Sequence, residues 1–291
     1  MDFSFNDERD ATLINNKEGI KIEMSTSFID VIETAIKNGV KPENISTCHN
    51  FYPERYTAPS LEAINDINNY WKAKNIPVAI FISSLVKGSH GPWPVSDGLP
   101  TIEEHRDMPI EIQLKHCLAL DNIDEIIIGN AYASDEEFKA IDQVMKQVYV
   151  DIPKNESLGF LADFVPHGLT KRIPFKIHLD KGITALEKEI LFNYPSHSDL
   201  GDCMNYMLRL RRTRMIYKGK EIPCRPCDKA YYTRGDVVIV NDNLVHYRGE
   251  IQIVLKEMKV DGQRNLLGHI DENEIFILEH IKAKDVFTFV E

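Results

Sequence analysis

Side chains fit for binding or catalysis gather in a few short segments. The densest, CHNFYPERYTAPS, sets His49, Asn50, Tyr52, Arg55, Tyr56 and Thr57 directly after an apolar run. Arg55 offers a fork for a phosphate or carboxylate, while His49 and Asn50 offer hydrogen bonds to sugar hydroxyls. The plainer reading of such a segment is a polar corner that satisfies itself. A second segment, GPWPVSDGLPTIEEHR, supplies Trp93 as a stacking platform and His105 and Arg106 as binding candidates. Its Glu103 and Glu104 follow Thr101 as ordinary helix-capping residues would. Asn130 and Tyr132 close a third run, EIIIGNAY.

Cleavage of a glycosidic bond needs two carboxyl groups flanking the scissile oxygen, one to protonate the leaving group and one to act as nucleophile or base. Glu23, after the apolar IKI, is the best placed, and Asp2 in DFSF is its candidate partner. Either acid alone is as easily a surface residue. Cys224 and Cys227 form CRPC, which has zinc spacing, but no second CxxC or HxxxH completes four ligands. There is no P-loop, no GxGxxG after a strand and no HExxH, so no metal and no cofactor is expected.

These residues matter only if the elements around them set them at one edge. From Ile20 to about Ala133 short β-rich runs alternate with helical patterns, the signature of parallel βαβ units. Strands are expected at Ile20–Met24, Ile45–His49, Pro77–Ile82 and Glu125–Ile128. Helices are expected at Ser27–Asn38, Ser60–Lys74, Ile110–Leu120 and from Ser134, whose acidic followers suit a helix start. In such architectures ligands bind at the carboxyl ends of the strands, which is where Glu23, His49, Asn50, the Ser83 loop, Asn130 and Tyr132 fall. The long segment Ser83–Asp107 reads as a functional cover.

Beyond about Val148 the pattern changes. Lys176–Leu179 reads as a strand, and Thr184–Phe192 and Asp199–Arg212 as helices. From Asp236 onward VVIV, LVHYRG, EIQIVLKEM, NLLGHI, EIFILEHI and VFTFV read as short strands of a compact barrel or sandwich. A length of 291 residues suits two domains, placed at residues 1–175 and 176–291.

With 43% hydrophobic and 27% charged residues the chain can bury a real core, and a formal charge of -11 disfavours a nucleic-acid partner. The one basic run, Arg209, Arg211, Arg212 and Arg214, suits either one small anion or, more simply, a solvated helix face. Five scattered cysteines fit a reducing compartment, and no segment has the makings of a signal peptide or membrane span. A cytoplasmic protein without a membrane partner is the expectation.

At CHNFYPERYTAPS, GPWPVSDGLPTIEEHR, IIIGNAYAS and RGDVVIVNDNLVHYRGEIQIVL, in this order and spacing, the sequence resembles the bacterial 6-phospho-N-acetylmuramidases. The resemblance spans nearly the whole chain. It implies an α/β fold of the (β/α)8 TIM-barrel type followed by a small cyclophilin-like β-barrel. It further implies hydrolysis of the bond between N-acetylmuramic acid 6-phosphate and N-acetylglucosamine in cytoplasmic peptidoglycan recycling. The implied pocket comprises Asp2, Glu23, His49, Asn50, Tyr52, Arg55, Asn130 and Tyr132, with a phosphorylated amino-sugar disaccharide as partner.

One departure stands out. Relatives of this kind begin with three further βα units, so an incomplete barrel of about five of eight units is expected here, with edges that need cover. A homodimer is one way to supply it. Three readings follow: a phospho-sugar glycosidase, an inactive or binding-only truncated member of the same family, and a lyase or aldolase on the same scaffold. A strand-end lysine would favour the last, and none of the strand ends named carries one.

Overall fold

A computed structural model describes residues 7–89, 91, 97–202 and 204–291. The chain divides into two compact units, Met1–Ile141 and Asp142–Glu291. The segment from Asp142 to Phe175, which the sequence pattern groups with the first domain, belongs to the second of these units.

In the first unit, α1 (Asp7–Ile14) precedes four strands and their helices: β1 (Ile22–Ser25), α2 (Ile29–Lys37), β2 (Ile45–Cys48), α3 (Leu61–Lys72), β3 (Val78–Ile82), α4 (Ile110–Leu120), β4 (Glu125–Ile128) and α5 (Asp135–Val148), whose last residues, from Asp142, are counted in the second unit. The strands pair in the order β1-β2-β3-β4, all parallel. DFSF, and Asp2 with it, lies outside the described residues.

Local chemistry explains these boundaries. Ser60 accepts a hydrogen bond from Ala63 N at 3.2 Å and starts α3. Ser134 and Glu137 cap α5 reciprocally, Glu137 N donating to Ser134 Oγ at 3.1 Å and Ser134 N to Glu137 Oε2 at 2.9 Å. One face of the sheet is packed by helices. Met24, Ile45 and Val78 form a cluster with Ile32 and Trp71, and Ile80 and Ile82 form another with Ile110 and Leu120. Because side chains alternate along a strand, Glu23, Ser25, Cys48, Phe81 and Glu125 point to the opposite face.

The second unit contains β5 (Tyr149–Ile152), β6 (Gly168–Lys171), β7 (Ile173–Leu179), α6 (Ala185–Asn193), β8 (Met207–Leu210), α7 (Arg212–Ile216), β9 (Tyr231–Tyr232), β10 (Asp236–Val240), β11 (Ile251–Val254), β12 (Met258–Lys259), β13 (Arg264–Ile270) and β14 (Phe287–Val290). A mixed sheet runs β14-β7-β13-β10-β11-β8, with only β14 and β7 parallel, and β5-β6 and β12-β9 form two small ladders. Thr184 and Glu187 form a capping box for α6.

Three expectations are corrected here. Asp199–Arg212 is not a helix. Asp199 instead binds the backbone N–H of Gly201, Asp202 and Arg209 at 2.6, 3.1 and 3.0 Å, and β8 then pairs with β11. EIFILEHI and LVHYRG are not strands either: the first holds the 3-10 helix Ile275–Glu279, and most of the second lies in the 3-10 helix Asp242–Tyr247.

Candidate functional site

A cavity of about 450 Å³ lies in the first unit, walled by segments that follow β2, β3 and β4. Arg55 comes from the β2 loop, Ser84 to Ser89 from the turn after β3, and Asn130 from the end of β4, with Asp97, Arg106 and Asp107 from the long β3–α4 connection. A parallel sheet offers its ligand crevice at these carboxyl ends, and the volume suits a sugar-sized molecule.

Asn130 builds the floor. Its Oδ1 accepts from Ser84 N at 2.8 Å and Ser83 Oγ at 3.1 Å, and its Nδ2 donates to Ser89 O at 2.8 Å. Glu137 fastens the same loop, accepting from Leu85 N at 2.9 Å and Ser84 Oγ at 2.8 Å. Buried Gln113 accepts from Ser83 N at 2.7 Å and donates to Ser83 O at 2.8 Å. At the free end, Ser89 N donates to Val86 O at 3.0 Å, and Gly88 takes a φ of 81°. That left-handed conformation suits glycine at the third position of a type II turn. Gly129, just before Asn130, is also obligatory, because a Cβ there would stand 2.7 Å from Leu99 O. The turn presents Lys87 to solvent with no carboxylate within 4 Å among the described residues.

The other two cations are committed. Arg55 forks onto Asp107, both contacts at 2.8 Å, with its Nε 3.6 Å from Asp97 Oδ1. Arg55 holds the Asp107 carboxyl below its ordinary range. Arg106 is 3% exposed; its Nε and Nη2 bind Glu103 at 2.6 and 2.9 Å, and its Nη1 and Nη2 bind the carbonyls of Asp97 and Glu54 at 2.8 and 3.3 Å. The Arg106 guanidinium draws the Glu103 carboxyl down to about 2. Glu103 is thus a clamp for Arg106 rather than a helix cap.

Of the residues singled out from sequence, the structure gathers Arg55, Arg106 and Asn130 around this cavity. Tyr132 is exposed, and its carbonyl accepts from Ser89 Oγ at the cavity edge. Asn50 is exposed, its carbonyl held by Thr101 Oγ1 at 3.0 Å, and Tyr52 is half-buried, its N–H donating to Pro100 O at 3.0 Å. The two histidines point the other way. His49 is buried between Thr26 Oγ1, 3.2 Å from its Nδ1, and Asn68 Oδ1, 2.6 Å from its Nε2. Burial lowers its pKa and so keeps it neutral. His105 is fully buried against His116, Nε2 to Nδ1 at 2.8 Å.

Glu23 occupies the second position of β1, opposite Ser46, rather than its end. Its carboxylate lies close enough to Cys48 to contribute, after burial, to pushing that thiol up to about 12. Asp2 and Trp93 lie outside the described residues. Lys87, Asp97 and Asp107 were missed: they sit in the long connection already marked by its length, but nothing in their spacing separates them from ordinary surface charges. Among the described residues no group of three or more His, Cys, Asp or Glu could hold a metal ion, and no helix is long and apolar enough to cross a membrane.

Residues 1–143 match a family model described as 6-phospho-N-acetylmuramidase, N-terminal, and residues 173–290 match one described as 6-phospho-N-acetylmuramidase, C-terminal. No curated protein matches the chain. An uncharacterized protein of B. cereus, known from its crystal structure, is 35% identical with a TM-score of 0.82, over 100% of this chain and 76% of that one. A conserved Enterococcus faecalis protein of unknown function is 22% identical with a TM-score of 0.64, over 100% of this chain and 70% of that one, a likeness of fold.

Proposed function

Since the chain belongs to the 6-phospho-N-acetylmuramidase family, we propose that it is a glycoside hydrolase acting on the bond between N-acetylmuramic acid 6-phosphate and N-acetylglucosamine. The observation that carries this is the cavity of about 450 Å³ with Lys87 and Arg55 on its walls. Lys87, unpaired among the described residues, meets a phosphate as a point charge, and Arg55 adds a fork if the phosphate competes with Asp107. Asn130 and Gln113 hold the turn that carries Lys87, so the cation is positioned before substrate arrives.

Asp2 and Glu23 are the proposed carboxyl pair. Glu23 is supported by its place on the sheet face turned away from the helices. Asp107, kept ionised by Arg55, suits acceptance of a sugar hydroxyl rather than proton donation. In this reading the parallel sheet is part of a (β/α)8 barrel and residues 176–291 form the cyclophilin-like domain. The reaction belongs to cytoplasmic cell-wall recycling.

The test is release of N-acetylglucosamine from the 6-phosphorylated muramyl disaccharide and from its unphosphorylated form. Turnover of the first, lost in Glu23→Gln, is expected. In Lys87→Gln, KM for the phosphorylated substrate should rise roughly tenfold or more, the scale of one charge-assisted hydrogen bond. No turnover by folded protein would replace this reading with a binding-only member of the family.

A further inference from the structure

The basic run at Arg209–Arg214 is not explained by the first unit's cavity, and three of its four members stand within 4 Å of a carboxylate. Arg209 holds buried Glu250 at 2.6 and 2.8 Å, Arg211 pairs with Asp202, and Arg214 lies 3.7 Å from Glu250. Arg212 is the exception. Its Nη1 donates to Ser198 Oγ and its Nη2 to Phe164 O at 3.1 Å, both neutral acceptors. Arg172 is placed alike: it donates to Gln147 O and Oε1 at 2.7 and 3.0 Å and to Pro195 O at 2.9 Å. Neither guanidinium has a carboxylate within 4 Å among the described residues.

Both arginines brace the wall of one cavity, which lies wholly within the second unit. It measures about 400 Å³, and Tyr194, Pro195 and Ser196 form one side of it, with Val165 and Pro166, next to Phe164, on another. Ile152, Leu158 and Ile216 supply apolar lining, and Lys154, paired with Asp163 at 2.6 Å, Asn155 and His167 line it too. Tyr194 and Ser196 are 5% and 0% exposed, and among the described residues neither hydroxyl has a hydrogen-bond partner. Ser196 and Arg212 are near enough to influence the titration of Tyr194, yet no bond of good geometry joins them. Three polar groups therefore converge without satisfying one another. Buried polar groups are seldom left so, and a half-buried cation without a counter-charge calls for an anion.

We infer that this cavity binds a small ligand carrying one terminal oxyanion, a phosphate or a carboxylate, held by Arg212 together with the hydroxyls of Tyr194 and Ser196. Arg172 adds positive potential from behind Pro195. The apolar part of the lining, Ile152, Leu158 and Ile216, receives the body of the ligand. Hydroxyl hydrogens rotate to suit a partner, so the two side chains can donate to an anion without backbone movement. The inference stands independently of the glycosidase reading.

Nuclear magnetic resonance titration of the full chain with inorganic phosphate, and separately with acetate, tests it. The expected result is saturable movement of the amide signals of residues 164–167 and 193–198 with at least one anion. Whichever anion acts identifies the ligand group. Arg212→Gln should weaken that binding at least tenfold. Tyr194→Phe, which removes a single oxygen and keeps the ring, should weaken it roughly threefold to tenfold, so the inference remains testable if the arginine variant folds poorly. Movement confined to residues 84–89, no movement with either anion, or unchanged affinity in Tyr194→Phe would overturn it.

Discussion

Arg55 and Asp107 meet as a two-pronged ion pair across the cavity of the first unit, Nη1 to Oδ2 and Nη2 to Oδ1, each at 2.8 Å. Both groups are open to solvent, so water screens the pair and it does little for stability. Its effect is to aim the guanidinium. Arg55→Lys keeps the charge but loses the fork, and KM for the phosphorylated disaccharide should rise roughly tenfold. The melting temperature should move by no more than about 3 °C. A large drop in melting temperature with KM unchanged would make Arg55 a structural residue.

Glu103 and Arg106 form the opposite kind of pair. The arginine is 3% exposed and bound to two carbonyls, so removing its carboxylate partner leaves a buried charge uncompensated. Glu103→Gln should cost about 3 kcal/mol in denaturant unfolding, the lower end for a broken buried pair. The Glu103 carboxyl is lowered from 4.5 to about 2. Its contribution is therefore complete above pH 4.5 and disappears as the pH falls through about 2. A Glu103→Gln protein as stable as the parent at neutral pH would refute this.

The helices capped by Ser60 and Ser134 and the strands Ile45–Cys48, Val78–Ile82 and Glu125–Ile128 were legible because cap chemistry and apolar runs agreed. β8 was not, since MLRLRR carries both a period of two and enough arginine for a helix, and only pairing with β11 decides between them. At the site, the sequence shows which residues follow a strand but not which side of the sheet they take. His49 turned to the helices and found Asn68, whereas Arg55, a few residues on, reached the cavity. Lys87 was hidden because what sets it apart, no carboxylate within 4 Å among the described residues, is a property of three dimensions.

His49, Asn68 and Asn122 form a buried relay: His49 Nε2 to Asn68 Oδ1 at 2.6 Å and Asn68 Nδ2 to Asn122 Oδ1 at 3.1 Å. Asn68→Ala leaves both neighbours unsatisfied, at an expected cost of about 1–3 kcal/mol. KM should stay within about twofold of the parent, because none of the three lines the cavity. Kinetics and denaturant unfolding on one preparation check this, and a KM change without a stability loss would return His49 to the binding site.

His197 should make the second unit sensitive to acid. It is fully buried, stacked on Phe287 and edge-on to Tyr194 and Phe289, with Nε2–H donating to Leu191 O at 2.9 Å. Burial pushes its pKa from 6.5 down to about 4. Between those values the unfolded chain binds a proton that the folded chain does not, so stability rises with pH there and is complete above 6.5. The full span is worth about 3 kcal/mol. His197→Phe removes the titrating group: it should be less stable than the parent at pH 7.5, where Leu191 O loses its donor, yet lose less between pH 7.5 and 4.5. Denaturant unfolding followed by circular dichroism at the two pH values measures both quantities. Equal losses in the two proteins would show that His197 is protonated in the folded state and that its burial does not govern the acid response.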